Sequence, residues 1–211
     1  MLLTACCTCQ ILLSRKFNNN NQMKNISIIY FSGRGHTQKL AEAVNAGASS
    51  VSGVKTTLIG INEKDIVNGY YKNENVINTL DASDAIIFGT PTYMGGAAAQ
   101  FKAFADASVG SWFQRKWQDK LAAGFTVSGT PSGDKLSTLQ YLQTLAMQHG
   151  MIWISLGEKS MQENGVNRLG SYSGAMAHAD NDSPEVTPGA EDKLTAELLG
   201  KRVASHLLRF N

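Results

Sequence analysis

Three stretches rich in glycine and hydroxyl side chains carry the residues best suited to do chemistry: residues 32–37 (SGRGHT), 90–96 (TPTYMGG) and 128–134 (SGTPSGD). In the first, Ser32 and Thr37 offer hydroxyls, Gly33 and Gly35 let the backbone turn, and a helix starting directly afterwards adds free amide N–H groups. That combination can hold a phosphate. The stretch lacks the lysine that grips a triphosphate, and Gln38 stands where a dinucleotide fingerprint would place its third glycine. A monophosphate held by neutral donors fits these residues. So does a plain glycine turn with Thr37 as a helix cap.

Each stretch is placed by the elements on either side of it. The continuously apolar run ISIIYF precedes the first and reads as a strand buried on both faces. Leu40, Ala43, Val44 and Gly47 follow at helical spacing, predicting a helix from about Thr37 to Ser50. VKTTLIGI reads as a second strand, and residues 62–84 as a loop with one short helix. AIIFGT is the third strand, followed by a helix marked by Ala97, Phe101, Phe104 and Ala105. LAAGFTVSGT is the fourth, leading to a helix carrying Leu136, Leu139, Leu142 and Ala146 and ended by Gly150. MIWISLG is the fifth strand. After a polar excursion through residues 157–186, Thr187 is expected to cap and Pro188 to open a last helix with Ala196, Leu199, Val203 and Leu207 on its buried face. Strands alternating with helices predict an α/β fold, a parallel sheet covered on both faces. Ligands of such sheets bind beyond the carboxyl ends of the strands, so the three stretches should reach one crevice.

The chain has 211 residues, enough for one domain. Its net charge of +2 and lack of a basic run point away from nucleic acid. Cys6, Cys7 and Cys9 are the only cysteines, so no disulfide can form within the remaining body, which fits a reducing, cytoplasmic setting. Residues 1–22 are expected to be a disordered extension or to precede the true start, with residues 23–211 as the domain. Their apolar part is far shorter than a membrane span. No spacing fits a metal site; HADNDSPE reads as a solvated loop, and His178 and His206 as surface or helix residues without partners.

YFSGRGHTQKLAEAV, AIIFGTPTYMGGAAAQFKAFAD, FTVSGTPSGD and LAMQHGM, in this order, resemble the flavodoxin-like NAD(P)H:quinone oxidoreductases of the WrbA type. The resemblance covers about residues 26–210. It implies a flavodoxin-like three-layer sandwich with strand order 2-1-3-4-5, binding FMN, with NADPH or NADH as co-substrate and a quinone as acceptor. By position it puts Ser32, Gly33, Arg34, Gly35, His36 and Thr37 around the phosphate and the flavin edge. Thr92, Tyr93, Met94 and Gly95 would line the isoalloxazine; Ser128, Gly129, Thr130 and Gly133 would contact the far side of the ring and the ribityl chain. Trp112 and His149 fall where the family covers the flavin face, with His149 easing protonation of a quinone oxygen and Arg34 attracting NADPH. Trp112 also reads as a packing residue, and His149 as an imidazolium at a helix end. The resemblance further implies a homodimer or homotetramer with pockets completed by neighbouring subunits. Departures are Arg34 for a usual aromatic residue, PTYM for a pattern with arginine and phenylalanine, Pro131 and Asp134 for glycine and glutamine, and a shorter 61–84 connection. A single-electron carrier of the flavodoxin kind and a flavin-free interaction protein are the alternatives; carriers are usually strongly acidic, whereas this chain is slightly basic.

Overall fold

Alternate side chains along strand β1 (Lys24–Tyr30) enter two different cores: Ile26 and Ile28 one, Ile29 the other. Strand β5 (Ala85–Tyr93) does the same with Ala85 and Ile87 against Ile86 and Phe88, and β7 (Leu121–Ser128) with Leu121 and Ala123 against Ala122. A strand with both faces buried needs covering layers on both sides, and the computed structural model, which describes residues 23–209, supplies them. Helices α1 (His36–Ser49) and α6 (Ala190–Arg209) cover one face. On the other, α2 (Glu74–Asp81), α3 (Ala99–Ala107) and α5 (Lys135–Gln148) contribute Leu80, Phe101, Phe104, Leu139 and Leu142 around the fully buried Trp117. The short α4 (Val109–Phe113) continues α3.

The main strands run parallel in the order β2 (Val54–Gly60), β1, β5, β7. The fifth position is shared by two pieces. Strand β8 (Ile152–Trp153) pairs with Leu121 and Ala122, and β9 (Ala175–His178) pairs with residues 125–128 further along β7. The sheet thus has the 2-1-3-4-5 order of a flavodoxin-like fold, but its last strand is not the single run over 151–157 expected from MIWISLG. Trp153 explains part of the break: its indole donates to Ser173 O at 2.8 Å, anchoring the excursion that separates the two pieces. A two-residue hairpin, β3 (Ile66–Val67) with β4 (Tyr70–Tyr71), lies in the 61–84 connection beside α2. Strand β6 (Gly96–Ala97) folds back on the end of β5.

Helices α1 and α6 cross where each has a glycine. A Cβ at Gly47 would stand 1.8 Å from Glu197 O, and one at Gly200 2.0 Å from Val44 O, so the two backbones touch without intervening side chains. The last helix also starts later than its sequence suggests. Thr187 Oγ1 donates to Ala179 O at 2.7 Å instead of capping, and Gly189 O accepts the first helical bond from Lys193 N. The Cys6, Cys7 and Cys9 cluster and the expected 1–22 extension lie outside the described residues. Among the described residues no helix is long and apolar enough to cross a membrane.

Candidate functional site

The order of the sheet reverses at β1: the chain moves to β2 on one side and then to β5 on the other. The three glycine-rich stretches leave β1, β5 and β7 at their carboxyl ends, and they enclose a cavity of about 500 Å³. Gly33, Arg34, His36 and Thr37 line it from the first stretch, Pro91, Thr92 and Tyr93 from the second, and Val127, Ser128 and Gly129 from the strand and loop of the third.

The first loop is shaped by its own serine. Ser32 Oγ accepts from Gly35 N at 3.1 Å and Gln38 N at 3.2 Å, so Ser32, rather than Thr37, caps α1. Gly35, with φ of 90°, makes the turn that a Cβ would resist. This leaves Thr37 2% exposed with its hydroxyl unpartnered among the described residues, and the amides of His36 and Thr37 without an internal acceptor. Thr37 lines the cavity, and helix-start amides with an adjacent hydroxyl and Arg34 suit a phosphate monoester. Of the predicted ring contacts, Thr92 is a wall: its hydroxyl is engaged with Thr126 and Thr138 at 2.8 Å each. Met94 and Gly95 form the turn beyond it, with φ of 47° and 77°, tied down by Ser137 Oγ donating to Gly95 O. Thr130 and Gly133 lie behind the cavity wall and pack on Ser128.

A fourth segment, missed at the sequence level, completes the cavity. Ala179, Asp180, Asn181 and Asp182 line it, so HADNDSPE is not simply a solvated loop. It is fastened over the first loop by His36 Nε2 bonding Asp182 O at 2.9 Å and by the Lys39–Glu185 ion pair at 3.0 Å. His178, expected to be alone, bonds Arg168 through Nδ1 and Asp180 through Nε2. His206 Nδ1 bonds Arg202 O. The segment follows β9, and recognising the split strand would have put its exit at the same sheet edge.

Trp112 and His149 do not join this cavity within the chain. They line a separate cleft of about 370 Å³ with Phe113, Arg115 and Met147. Helix α5 starts at the third loop and ends at His149, about 20 Å away along its 14 residues. His149 is 5% exposed and stacks on Trp117, ring centroids 4.2 Å apart. Burial pushes its pKa down to about 4, against a smaller upward pull from Asp81. The ring is therefore neutral, not an imidazolium complementing the helix end. Ser108 Oγ gives its proton to Ala105 O, so His149 Nε2 donates to Ser108 and Nδ1 is left a buried acceptor without a partner among the described residues. Trp112 is 37% exposed beside Phe113 at 74%.

Comparison with known proteins agrees with this geometry. Residues 25–164 match the family model of NADPH-dependent FMN reductases. Flavodoxin FldP of Pseudomonas aeruginosa is 37% identical over 187 residues, covering 86% of this chain and 96% of that protein. An NAD(P)H dehydrogenase (quinone) of Archaeoglobus fulgidus is 34% identical over 197 residues, again 86% and 96%. The crystal structure of a flavodoxin, WrbA-like protein from Agrobacterium tumefaciens is 43% identical with a TM-score of 0.70, covering 89% of this chain and 99% of that one. The unpartnered hydroxyl and amides of the first loop fit the phosphate of FMN, and the chain belongs to the NADPH-dependent FMN reductase family as a WrbA-type, flavodoxin-like oxidoreductase that uses FMN and NAD(P)H.

Proposed function

We propose that the chain is an NAD(P)H:quinone oxidoreductase working by a two-electron, ping-pong cycle. The observation that carries this reading is the cavity at the ends of β1, β5 and β7, where Thr37 and the first amides of α1 are donors that no described group accepts. Bound FMN would supply the hydride acceptor for the nicotinamide and the hydride donor for the quinone. The chain's own part is to hold and orient. Thr37 and the α1 amides would fix the phosphate, Pro91 to Tyr93 and Val127 to Gly129 would flank the ring, and Arg34, which has no ion pair among the described residues, would attract the phosphates of the dinucleotide.

His149 and Trp112 enter this reading across a subunit boundary, in a homodimer or homotetramer whose neighbouring chain brings its second cleft to the flavin site. With Nε2–H committed to Ser108 and Nδ1 shielded from solvent, His149 would shape the second cleft rather than supply a proton to the quinone. A cytoplasmic setting is consistent with the cysteine-free body.

The test is NADH and NADPH oxidation by the flavin-loaded protein at several benzoquinone concentrations. Parallel double-reciprocal lines are expected; intersecting lines would overturn the ping-pong scheme. Likeness to a protein named flavodoxin favours a second reading, single-electron carriage. Tight FMN binding without quinone-dependent turnover would establish that one instead.

A further inference from the structure

The third loop is built on a buried cation. Lys135, the first residue of α5, is fully shielded from solvent, and its ammonium donates to Ser128 Oγ at 2.7 Å and to the carbonyls of Thr130 and Pro131 at 2.8 Å each. All three acceptors are neutral. The acid whose charge acts on it, Asp192, is already held by Arg168 through two bonds of 2.7 Å and by His178 N. The Arg168 charge opposes the lysine as the Asp192 charge favours it. An ammonium out of water without a counter-ion is costly, and burial pushes its pKa down to about 8. A neutral donor could tie the same carbonyls at less cost.

What this charge faces is the cavity wall. Ser128, which it holds, lines the cavity between Val127 and Gly129. Gly133, with φ of 52°, closes over that serine so tightly that a Cβ would stand 2.0 Å from Ser128 Oγ. Ammonium, hydroxyl and loop backbone form one packed unit directly behind the wall.

We propose that Lys135 is a positioning residue that tunes the flavin: its charge, delivered through Ser128 and the third loop, favours the reduced cofactor over the oxidised one. The proposal rests on the FMN reading above. Hydride transfer from NAD(P)H puts two electrons and one proton on the ring and releases NAD(P)⁺, so the ring gains one negative charge. A fixed cation behind a wall that excludes water lowers the cost of that charge.

The test compares flavin-loaded wild type with Lys135→Met, Lys135→Gln and Lys135→Arg, measuring FMN affinity by fluorescence and the two-electron midpoint against a reference dye. In Lys135→Met, affinity for oxidised FMN should change by no more than about threefold. Affinity for the reduced form should fall about tenfold further, a midpoint about 30 mV more negative. Lys135→Gln, which keeps a donor but no charge, should share the shift, and Lys135→Arg should reverse it. A glutamine variant with the wild-type midpoint would reduce Lys135 to a structural tie and overturn the proposal. Wild type alone gives a second reading if the variants do not fold. Above about pH 8 the midpoint should steepen from one proton per two electrons towards two, as the oxidised protein loses the lysine proton and the reduced protein keeps it. Asp192 and Arg168 are the charged groups that act on Lys135. An unchanged slope overturns the proposal, and wild type that binds no FMN overturns both it and the reading beneath it.

Discussion

At the scale of single residues, Thr37 and His149 each have a measurable consequence. Thr37 has a hydroxyl without a partner among the described residues, at the loop proposed to hold the FMN phosphate, where it would donate to a charged acceptor. Replacing it with valine should weaken FMN binding about ten- to a hundredfold, the range for a hydrogen bond to an ion. The apoprotein should stay within about 1 kcal/mol of wild type, since the Thr37 hydroxyl lines the cavity and makes no hydrogen bond to another described residue. Fluorescence titration and a melting curve of the apoprotein check both halves. His149 has a folded pKa near 4 against 6.5 for the free side chain. Between those values the unfolded chain binds more protons than the folded one, so this residue's contribution to stability falls as the pH drops from about 6.5 to about 4. The loss should reach at most about 3 kcal/mol. The difference in unfolding free energy between wild type and His149→Gln, followed over this pH range in urea, should show it.

At the scale of elements, the crossing of α1 and α6 reverses a simple expectation. On helix propensity alone, Gly200→Ala would stabilise by about 1 kcal/mol. The contact of 2.0 Å that its Cβ would make with Val44 O forces the helices apart. The variant should instead lose about 2 kcal/mol, as overpacked cores do, and a denaturant midpoint below wild type would show it. Sequence made such elements legible to different degrees. Strands β1, β5 and β7 stood out because central parallel strands bury both faces and so carry unbroken apolar runs. Helix α1 came within one residue, because its apolar spacing is regular. The fifth strand did not, since β8 and β9 are too short to show a period, and the residues between them are polar because they leave the sheet. The lining by residues 179–182 was hidden for the same reason. Lys135 gave no signal either, since a lysine at a helix start normally reads as a solvated charge.

At the scale of the whole molecule, the two clefts that the resemblance would combine lie at opposite ends of the sheet. If chains cooperate, damage to each cleft should be separable. Thr37→Glu, which repels the phosphate, and His149→Ala should each be poor quinone reductases alone. Unfolded, mixed in equal amounts and refolded together, they should regain about a quarter of wild-type turnover, because a closed oligomer draws each half-site independently. No recovery would overturn a site shared between chains, and a sedimentation experiment on the same mixture would report whether the chains associate at all.

The split fifth strand bears on a different property, resistance to self-association through the backbone. An open sheet ends in unpaired peptide groups, and a long flat edge can recruit another chain strand by strand into a growing ribbon. Beyond β7 this protein offers two residues, then an excursion of about twenty, then four. No partner strand can run the length of such a border, so concentrated solutions should be protected from fibre growth on that side. Joining β8 to β9 by deleting the excursion would remove this interruption and present a continuous ladder.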